Sequence, residues 1–395
     1  MSIKVGYLPL YIKLYDDSNP ATRVGLDRYS KTLQDMIRAF DIEVVASPTC
    51  RIKPEFEAAI ELFHKENVDA IVTQHLAYSP SLESIDALEK ASVPLIVLDT
   101  TPDYALLDMA GYQSGIMPNH GIHGVQDMCN LLKRRGIEYY LCVGHAMHSD
   151  VIAQVAGMCR AAAAAKAYKN ARVGSVGGSF TGMGDFLVSD EEYREKIGAE
   201  VSYMGAETVR EYLPKVTNEE IEREIALDKA NFEFELTDEA AYREAVRSGL
   251  AVRKWADDNR LTALTVNFLT LDICGLPKMP FTECSKAMAR GLGYAGEGDV
   301  LTAGLVGALR SVYHDTAFTE MFCPDWKENV ILLSHMGEIN YDLAQWKPVL
   351  RTVPFNYNTC GDTAAAYSCY RPGKAVFVNV APAKTGFSLI ATNVE

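Results

Sequence analysis

Apolar positions recur along the chain in two rhythms. Short runs rich in aliphatic and β-branched residues at 3–8, 42–46, 70–74, 95–99 and 139–144 are separated by stretches whose apolar residues follow helical spacing. Runs of that length read as strands, and strands alternating with amphipathic helices imply parallel pairing in a doubly wound sheet. Several runs end in polar or small residues: Gln74 and His75, Asp99 and Thr100, Gly144 and His145. Those positions fall at the carboxyl edge, where such sheets take ligands. Residues 1–150 are therefore expected to form an N-terminal α/β domain with a ligand-facing rim.

An alanine-rich stretch at 151–168 predicts a helix, and a second alternation follows with strand-like runs at 172–176, 201–203 and 261–268. This predicts a central α/β domain over 151–315. Inside it, the acidic stretch 218–244 carries Glu and Asp at helical spacing and reads as a solvated helical face. From about residue 353 the pattern changes to Gly, Pro and Thr punctuation around 374–380 and 387–391, the signature of antiparallel β structure. Tyr367, Tyr370 and Phe377 are expected in the core of that part. The fold class expected is α/β: two doubly wound, Rossmann-like domains followed by a β-rich, barrel-like C-terminal domain at 316–395. The last of these reads as incomplete, because the chain stops at Glu395 in the middle of the β pattern.

Composition narrows the partners. A formal net charge of −14 argues against nucleic acid or an anionic membrane, which basic surfaces normally bind. A neutral small molecule fits better. Nine scattered cysteines, never in a Cys-x-x-Cys pair, form neither a disulfide framework nor a zinc ribbon. No apolar run reaches the roughly 18 residues of a membrane helix, and the first apolar run holds Pro9, so it reads as a strand rather than a signal peptide. A reducing cytoplasm is the expected location.

The chemistry concentrates late in the chain. In Ala295-Gly-Glu-Gly-Asp299, Glu297 stands in a glycine-flanked turn before a helix whose apolar face is Val300, Leu301, Leu305, Leu309 and Val312. Glycines let backbone approach a ligand closely, and Asp299 can cap the helix. Glu320 follows in Phe318-Thr-Glu-Met-Phe322, an acid bracketed by aromatics and so expected to be partly buried. His335 stands just after the strand-like run 330–333. Singly, Glu297 reads first as an exposed loop acid and His335 as a satisfied core histidine. Jointly, two carboxylates and an imidazole make a set suited to Mn, Mg or a similar divalent ion.

The segment Gly293-Tyr-Ala-Gly-Glu-Gly-Asp-Val-Leu-Thr-Ala303 resembles the signature of the L-fucose/L-arabinose isomerase family. Phe318-Thr-Glu-Met-Phe322 and Leu333-Ser-His-Met-Gly-Glu338 follow in that family's order. By this resemblance Glu297, Glu320 and His335 are metal ligands for Mn2+, and the two glutamates are also the acid/base pair of an aldose–ketose isomerisation through an enediol. Weaker similarity extends further: Gln74-His-Leu-Ala-Tyr-Ser-Pro80 resembles a strand end, Asn119-His-Gly-Ile-His-Gly124 a substrate-side loop, and the 177–190 segment with Met183 a pocket loop. It implies that Gln74, Asn119, His123 and Met183 contact a small sugar, a pentose or 6-deoxyhexose such as L-arabinose or L-fucose. It further implies a homo-oligomer, trimer or hexamer, with sites at subunit interfaces. Members of that family carry another histidine near the C-terminus that completes the metal site. None follows His335 here, which implies a fragment of a longer protein or a fourth ligand from water or another group.

Three rival functions fit the sequence less well. A dehydrogenase fails because no Gly-x-Gly-x-x-Gly follows the first strand, and Gly178, Gly182 and Gly184 have the wrong spacing. A non-catalytic sugar-binding or regulatory relative accounts for two α/β domains and the absent histidine, but has little need of the pair Glu297 and Glu320. A cysteine hydrolase has no local nucleophile motif to support it.

Overall fold

The computed structural model describes residues 2–106 and 115–395. The chain divides into two compact units, Met1–Lys166 and Ala167–Glu395.

The first unit is built on five parallel strands: β1 (Ile3–Leu10), β2 (Ile42–Ala46), β3 (Ala70–His75), β4 (Leu95–Asp99) and β5 (Tyr139–Val143), in the order β2-β1-β3-β4-β5. All five are the runs expected from the hydrophobic pattern. Every residue of β3 and β4 is buried, as befits inner strands of a sheet covered on both faces. The covering helices present apolar stripes at i, i+3, i+4 and i+7: Lys53–Lys65 buries Phe56, Ala59, Ile60 and Phe63, and Gly121–Arg134 buries Val125, Met128, Cys129 and Leu132. In this strand order the winding reverses between β1 and β3. Their carboxyl ends therefore flank a crevice of the kind that takes ligands, and Gln74 and His75 close β3 there.

The second unit repeats the plan. Strands β6 (Arg172–Val176), β7 (Glu200–Met204), β9 (Ala263–Val266) and β10 (Gly293–Gly296) form a parallel sheet in the order β10-β9-β6-β7. Between β7 and β9 the short β8 (Glu233–Glu235) leaves that sheet. It pairs in parallel with β13 (Val349–Val353), which pairs antiparallel with β14 (Thr363–Tyr367). Two antiparallel hairpins complete the β-rich part: β11 (Glu320–Asp325) with β12 (Val330–Ser334), and β15 (Ala375–Pro382) with β16 (Phe387–Val394). Phe318, Leu350, Phe355 and Ala364 to Ala366 join the core of the second sheet. The hairpins by contrast leave large apolar side chains in the open, among them Trp326, Ile331, Leu332, Leu389 and Ile390. Tyr367, expected in the core, is exposed because it ends β14 beyond the buried 363–366 stretch; Tyr370 packs against the core, and Phe377 is half-buried on β15 outside it.

The acidic stretch is solvated as expected at Glu219, Glu222, Glu233, Glu235, Asp238 and Glu239, but two of its acids depart from that reading. Its first half is the helix Asn218–Asn231, opened by a capping box of Thr217 and Glu220. Glu224 and Asp228 of that helix are buried, as are Glu283 and Lys286. The Arg253 guanidinium lies 2.6 Å from Glu224 and 2.5 Å from Glu283, and the Lys286 ammonium lies 2.7 Å from Glu224 and 3.0 Å from Asp228. Tyr242 donates its hydroxyl to Asp228 at 2.7 Å. Burial pushes the Glu224 carboxyl up, but Arg253 and Lys286 outweigh it and hold the group at about 2. These charges clamp the 218–231 helix to the helices Glu239–Asp258 and Phe281–Ala289. Replacing Lys286 by Met strands Asp228 beside Glu224 without its cation. The expected loss of stability is about 3–5 kcal/mol, measured by urea unfolding, and pairing K286M with Asp228→Leu should recover most of it.

Candidate metal and active site

At the carboxyl end of β10 the chain turns sharply into the helix Val300–Arg310, capped by the Asp299 side chain accepting from the Thr302 N–H at 2.8 Å. Burial lifts the Asp299 carboxyl to about 6. Glu297 sits in this turn with φ of 53°, a left-handed conformation that costs a non-glycine residue energy. Both flanking glycines are required by their surroundings. A Cβ on Gly296 would lie 2.8 Å from His335 Nε2, and one on Gly298, itself at φ 86°, would lie 2.3 Å from the Gly178 carbonyl oxygen. The bare backbone is what allows an imidazole to approach the strand end.

The other two side chains come from one hairpin: Glu320 is the first residue of β11, and His335 follows the last residue of β12. The register pairs Glu320 with Ser334, next to His335, so the hairpin's base brings the acid and the imidazole together. His335 Nε2 lies 3.6 Å from Glu297 and 4.0 Å from Glu320. Ligand atoms of the three all fall within 4.8 Å of one another, the one such group of three or more His, Cys, Asp or Glu among the described residues. On its other side His335 Nδ1 meets Glu338 Oε2 at 2.6 Å, and Tyr294 donates its hydroxyl to the second oxygen of Glu338. The Phe318 ring stands edge-on against the imidazole at 4.8 Å between centroids.

The electrostatics follow from this crowding. Burial opposes a charged imidazole, but Glu338 and Glu297 outweigh it and raise His335 to about 10. The Glu320 carboxyl is raised by burial and then by the charge of Glu297. A cavity of about 140 Å3 opens on the cluster, walled by Val266, Phe268, Phe281, Phe355 and Tyr357 beside Glu297, Glu320 and His335. The donor set, two carboxylates and one imidazole nitrogen whose partner nitrogen is oriented by a carboxylate, fits a divalent ion of the Mg2+ or Mn2+ type.

The remaining sequence candidates lie elsewhere. Met183 is half-buried in the loop after β6, the loop whose Phe180 N–H donates to the Glu297 carbonyl at 2.8 Å. Gln74, Asn119 and His123 belong to the first unit. Gln74 is buried and accepts from the Tyr7 hydroxyl at 2.5 Å, while its Nε2 has no hydrogen-bond partner among the described residues. Asn119 is buried and consumed by the backbone and side chain of Asp103. His123 is exposed, with Nδ1 3.1 Å from His120 Nε2. Glu338, Tyr294 and the aromatic wall were not singled out from sequence. The His335-x-x-Glu338 spacing, three residues apart in a tight turn, was the available signal for the first of them.

Comparisons with known proteins converge on one group. The L-arabinose isomerase central domain matches residues 189–315, and the L-arabinose isomerase C-terminal domain matches residues 315–395. The L-arabinose isomerase of Oceanobacillus iheyensis is 27% identical over 352 residues, covering 85% of this chain and 72% of that protein. That of Leuconostoc mesenteroides is 27% identical over 355 residues, covering 86% and 73%, and that of Herpetosiphon aurantiacus is 24% identical over 378 residues, covering 91% and 74%. The protein is thus an enzyme of the intramolecular oxidoreductase class, an aldose–ketose isomerase. More closely, the chain belongs to the L-fucose/L-arabinose isomerase family, with the sequence match running through both the Glu297 turn and the hairpin of Glu320 and His335.

Among the described residues, His335 is the one cationic partner of the acids in the cluster. Its folded value of about 10 exceeds the ordinary 6.5, so the stability it contributes is complete below pH 6.5 and lost as pH rises towards 10. The stability difference between wild type and His335→Gln, from urea unfolding, should shrink across that window. A difference that stays flat would show that the imidazole is not held by these acids.

Proposed function

We propose that this isomerase acts on a small aldose, a pentose or 6-deoxyhexose of the L-arabinose or L-fucose type, and does so with a divalent ion, Mn2+ foremost, held by Glu297, Glu320 and His335. The observation that carries this is the convergence of those three side chains within 4.8 Å at the mouth of an apolar-walled cavity. Thiolates are absent from the donor set, which favours a hard or borderline ion over a soft one. When bound, such an ion supplies Lewis acidity towards the two sugar oxygens that exchange carbonyl character.

The proton work falls to the protein. Moving a carbonyl from C1 to C2 through an enediol takes a proton from C2, returns one to C1, and shifts one between O1 and O2. Two carboxylates can divide this, one serving carbon and the other oxygen. Glu297 is fixed by its turn, and Glu320 is raised by burial and by its neighbour's charge. That asymmetry lets two like groups take different roles. His335 is a ligand only, its far nitrogen occupied by Glu338. The aromatic wall excludes water and offers faces to the C–H surface of a sugar.

By the family resemblance, recognition of the distal hydroxyls is proposed for Met183 and, from a neighbouring copy in a homo-oligomer, for Gln74, His123 and Asn119. The unpartnered Nε2 of Gln74 and the exposed imidazole of His123 support this for those two; Asn119 would act by shaping the rim, since its amide is already engaged. The exposed apolar hairpins, Trp326 and Leu332 above all, suit burial in a homo-oligomer such as a trimer or hexamer.

The test is proton NMR in deuterated water of a panel of aldopentoses and 6-deoxyaldohexoses, with Mg2+ as a non-broadening ion and Mn2+ in a parallel product assay. Ketose formation with metal-dependent deuterium entry is the expected outcome. No conversion with either ion across the panel would refute the assignment. Glu297→Gln and Glu320→Gln should each lower kcat by about a hundred- to ten-thousandfold with the fold intact; near-normal turnover in either removes that residue from the proton path.

A further inference from the structure

The strained turn that presents Glu297 is tied down by a hydroxyl from the next strand. Thr265 lies on β9, fully buried, in register with Ala295 of β10. Its Oγ1 donates to the Gly296 carbonyl at 3.0 Å and accepts from the Gly298 N–H at 3.0 Å. One hydroxyl thereby bridges the residues on either side of Glu297, using its single proton and a lone pair. The Gly296 carbonyl also accepts from the Asp299 N–H at 2.9 Å, and the Glu297 carbonyl accepts from the Phe180 N–H at 2.8 Å. A left-handed residue persists only where its surroundings over-determine it. Here that work is done by a β-branched side chain whose own torsion is stiff and whose place is set by the sheet ladder.

We propose that Thr265 is a positioning residue: through the Gly296 carbonyl and the Gly298 N–H it sets where the Glu297 carboxylate stands, and so sets both ion affinity and turnover. It lies outside the cavity wall and touches no reacting atom. The inference rests on the roles proposed above for Glu297, and what distinguishes Thr265 is that its two hydrogen bonds fall on the residues flanking Glu297. Ser175, its register partner on β6, has no side-chain hydrogen-bond partner among the described residues.

Thr265→Val keeps volume and β-branching and removes both hydrogen bonds. Its kcat should fall by about ten- to a hundredfold with KM little changed, and Mn2+ affinity, read by electron paramagnetic resonance of the free ion, should weaken by about tenfold or more. The Gly298 amide should exchange faster with deuterated water. Thr265→Ser, which keeps the hydroxyl, should restore most of all three. Tyr242→Phe, which removes a buried hydroxyl from the Asp228 network, should lose stability and keep its kcat and Mn2+ affinity. Wild-type kcat and Mn2+ affinity in T265V would overturn the proposal, and so would an equal loss of both in Y242F. Should T265V fail to fold, Thr265→Cys, a weaker donor and acceptor, carries the same expectations at smaller size. Wild-type protein that isomerises none of the sugars refutes the isomerisation reading alone. Mn2+ affinity and Gly298 exchange in the variants then decide the place of Thr265.

Discussion

Two carboxylates held within a few ångströms of each other repel, and nothing in the Glu297 and Glu320 pair neutralises that repulsion except the His335 imidazole. The surrounding structure is arranged to impose the contact. Glu338 and Tyr294 lock the imidazole from behind, the edge of Phe318 packs on its ring, and the Gly-Glu-Gly turn holds Glu297 in a conformation it would not choose. The same unit shows what acids look like when charge is there only to hold the fold. Glu224, Glu283 and Asp228 are buried more deeply than Glu320, yet each has an arginine or lysine within hydrogen-bonding distance. Buried acids matched by cations are a clamp. Acids matched by nothing stronger than one imidazole do not serve the fold in that way, and perturbed groups of that kind mark functional sites.

Much of this was legible in the chain. The strands of the first unit announce themselves because inner parallel strands are buried on both faces and need unbroken apolar runs. The Asp299 cap and the glycine-flanked Glu297 were readable from local rules, since capping and left-handed turns are properties of neighbours in sequence. β10 was not, because Gly293-Tyr-Ala-Gly296 lacks the β-branched character of a strand and earns its place by letting the following helix close upon it. The burial of Glu224 and Asp228 was equally hidden. Their partners Arg253 and Lys286 lie on other helices, and helical spacing of acids looks the same whether the face meets water or meets cations. Composition could mark Glu320 and His335 as candidates, but their meeting depends on a hairpin register that only pairing reveals.

The two α/β units share a winding order but end their strands in different chemistry. At the first, the carboxyl edge carries neutral groups without partners among the described residues: the amide nitrogen of Gln74, the hydroxyl of Tyr11 and both ring nitrogens of His75. Burial drives His75 down to about 3, so it stays uncharged at any physiological pH. Such groups can donate and accept hydrogen bonds but cannot trade protons with a substrate near neutrality. At the second, the strand end carries ionisable groups whose charges are unbalanced. The two edges therefore obey opposite rules: at the first, burial keeps the polar groups neutral, because a lone charge there would have no partner to offset its desolvation. At the second, two carboxylates face a single imidazole, and the charge that burial would forbid is held in place by that contact.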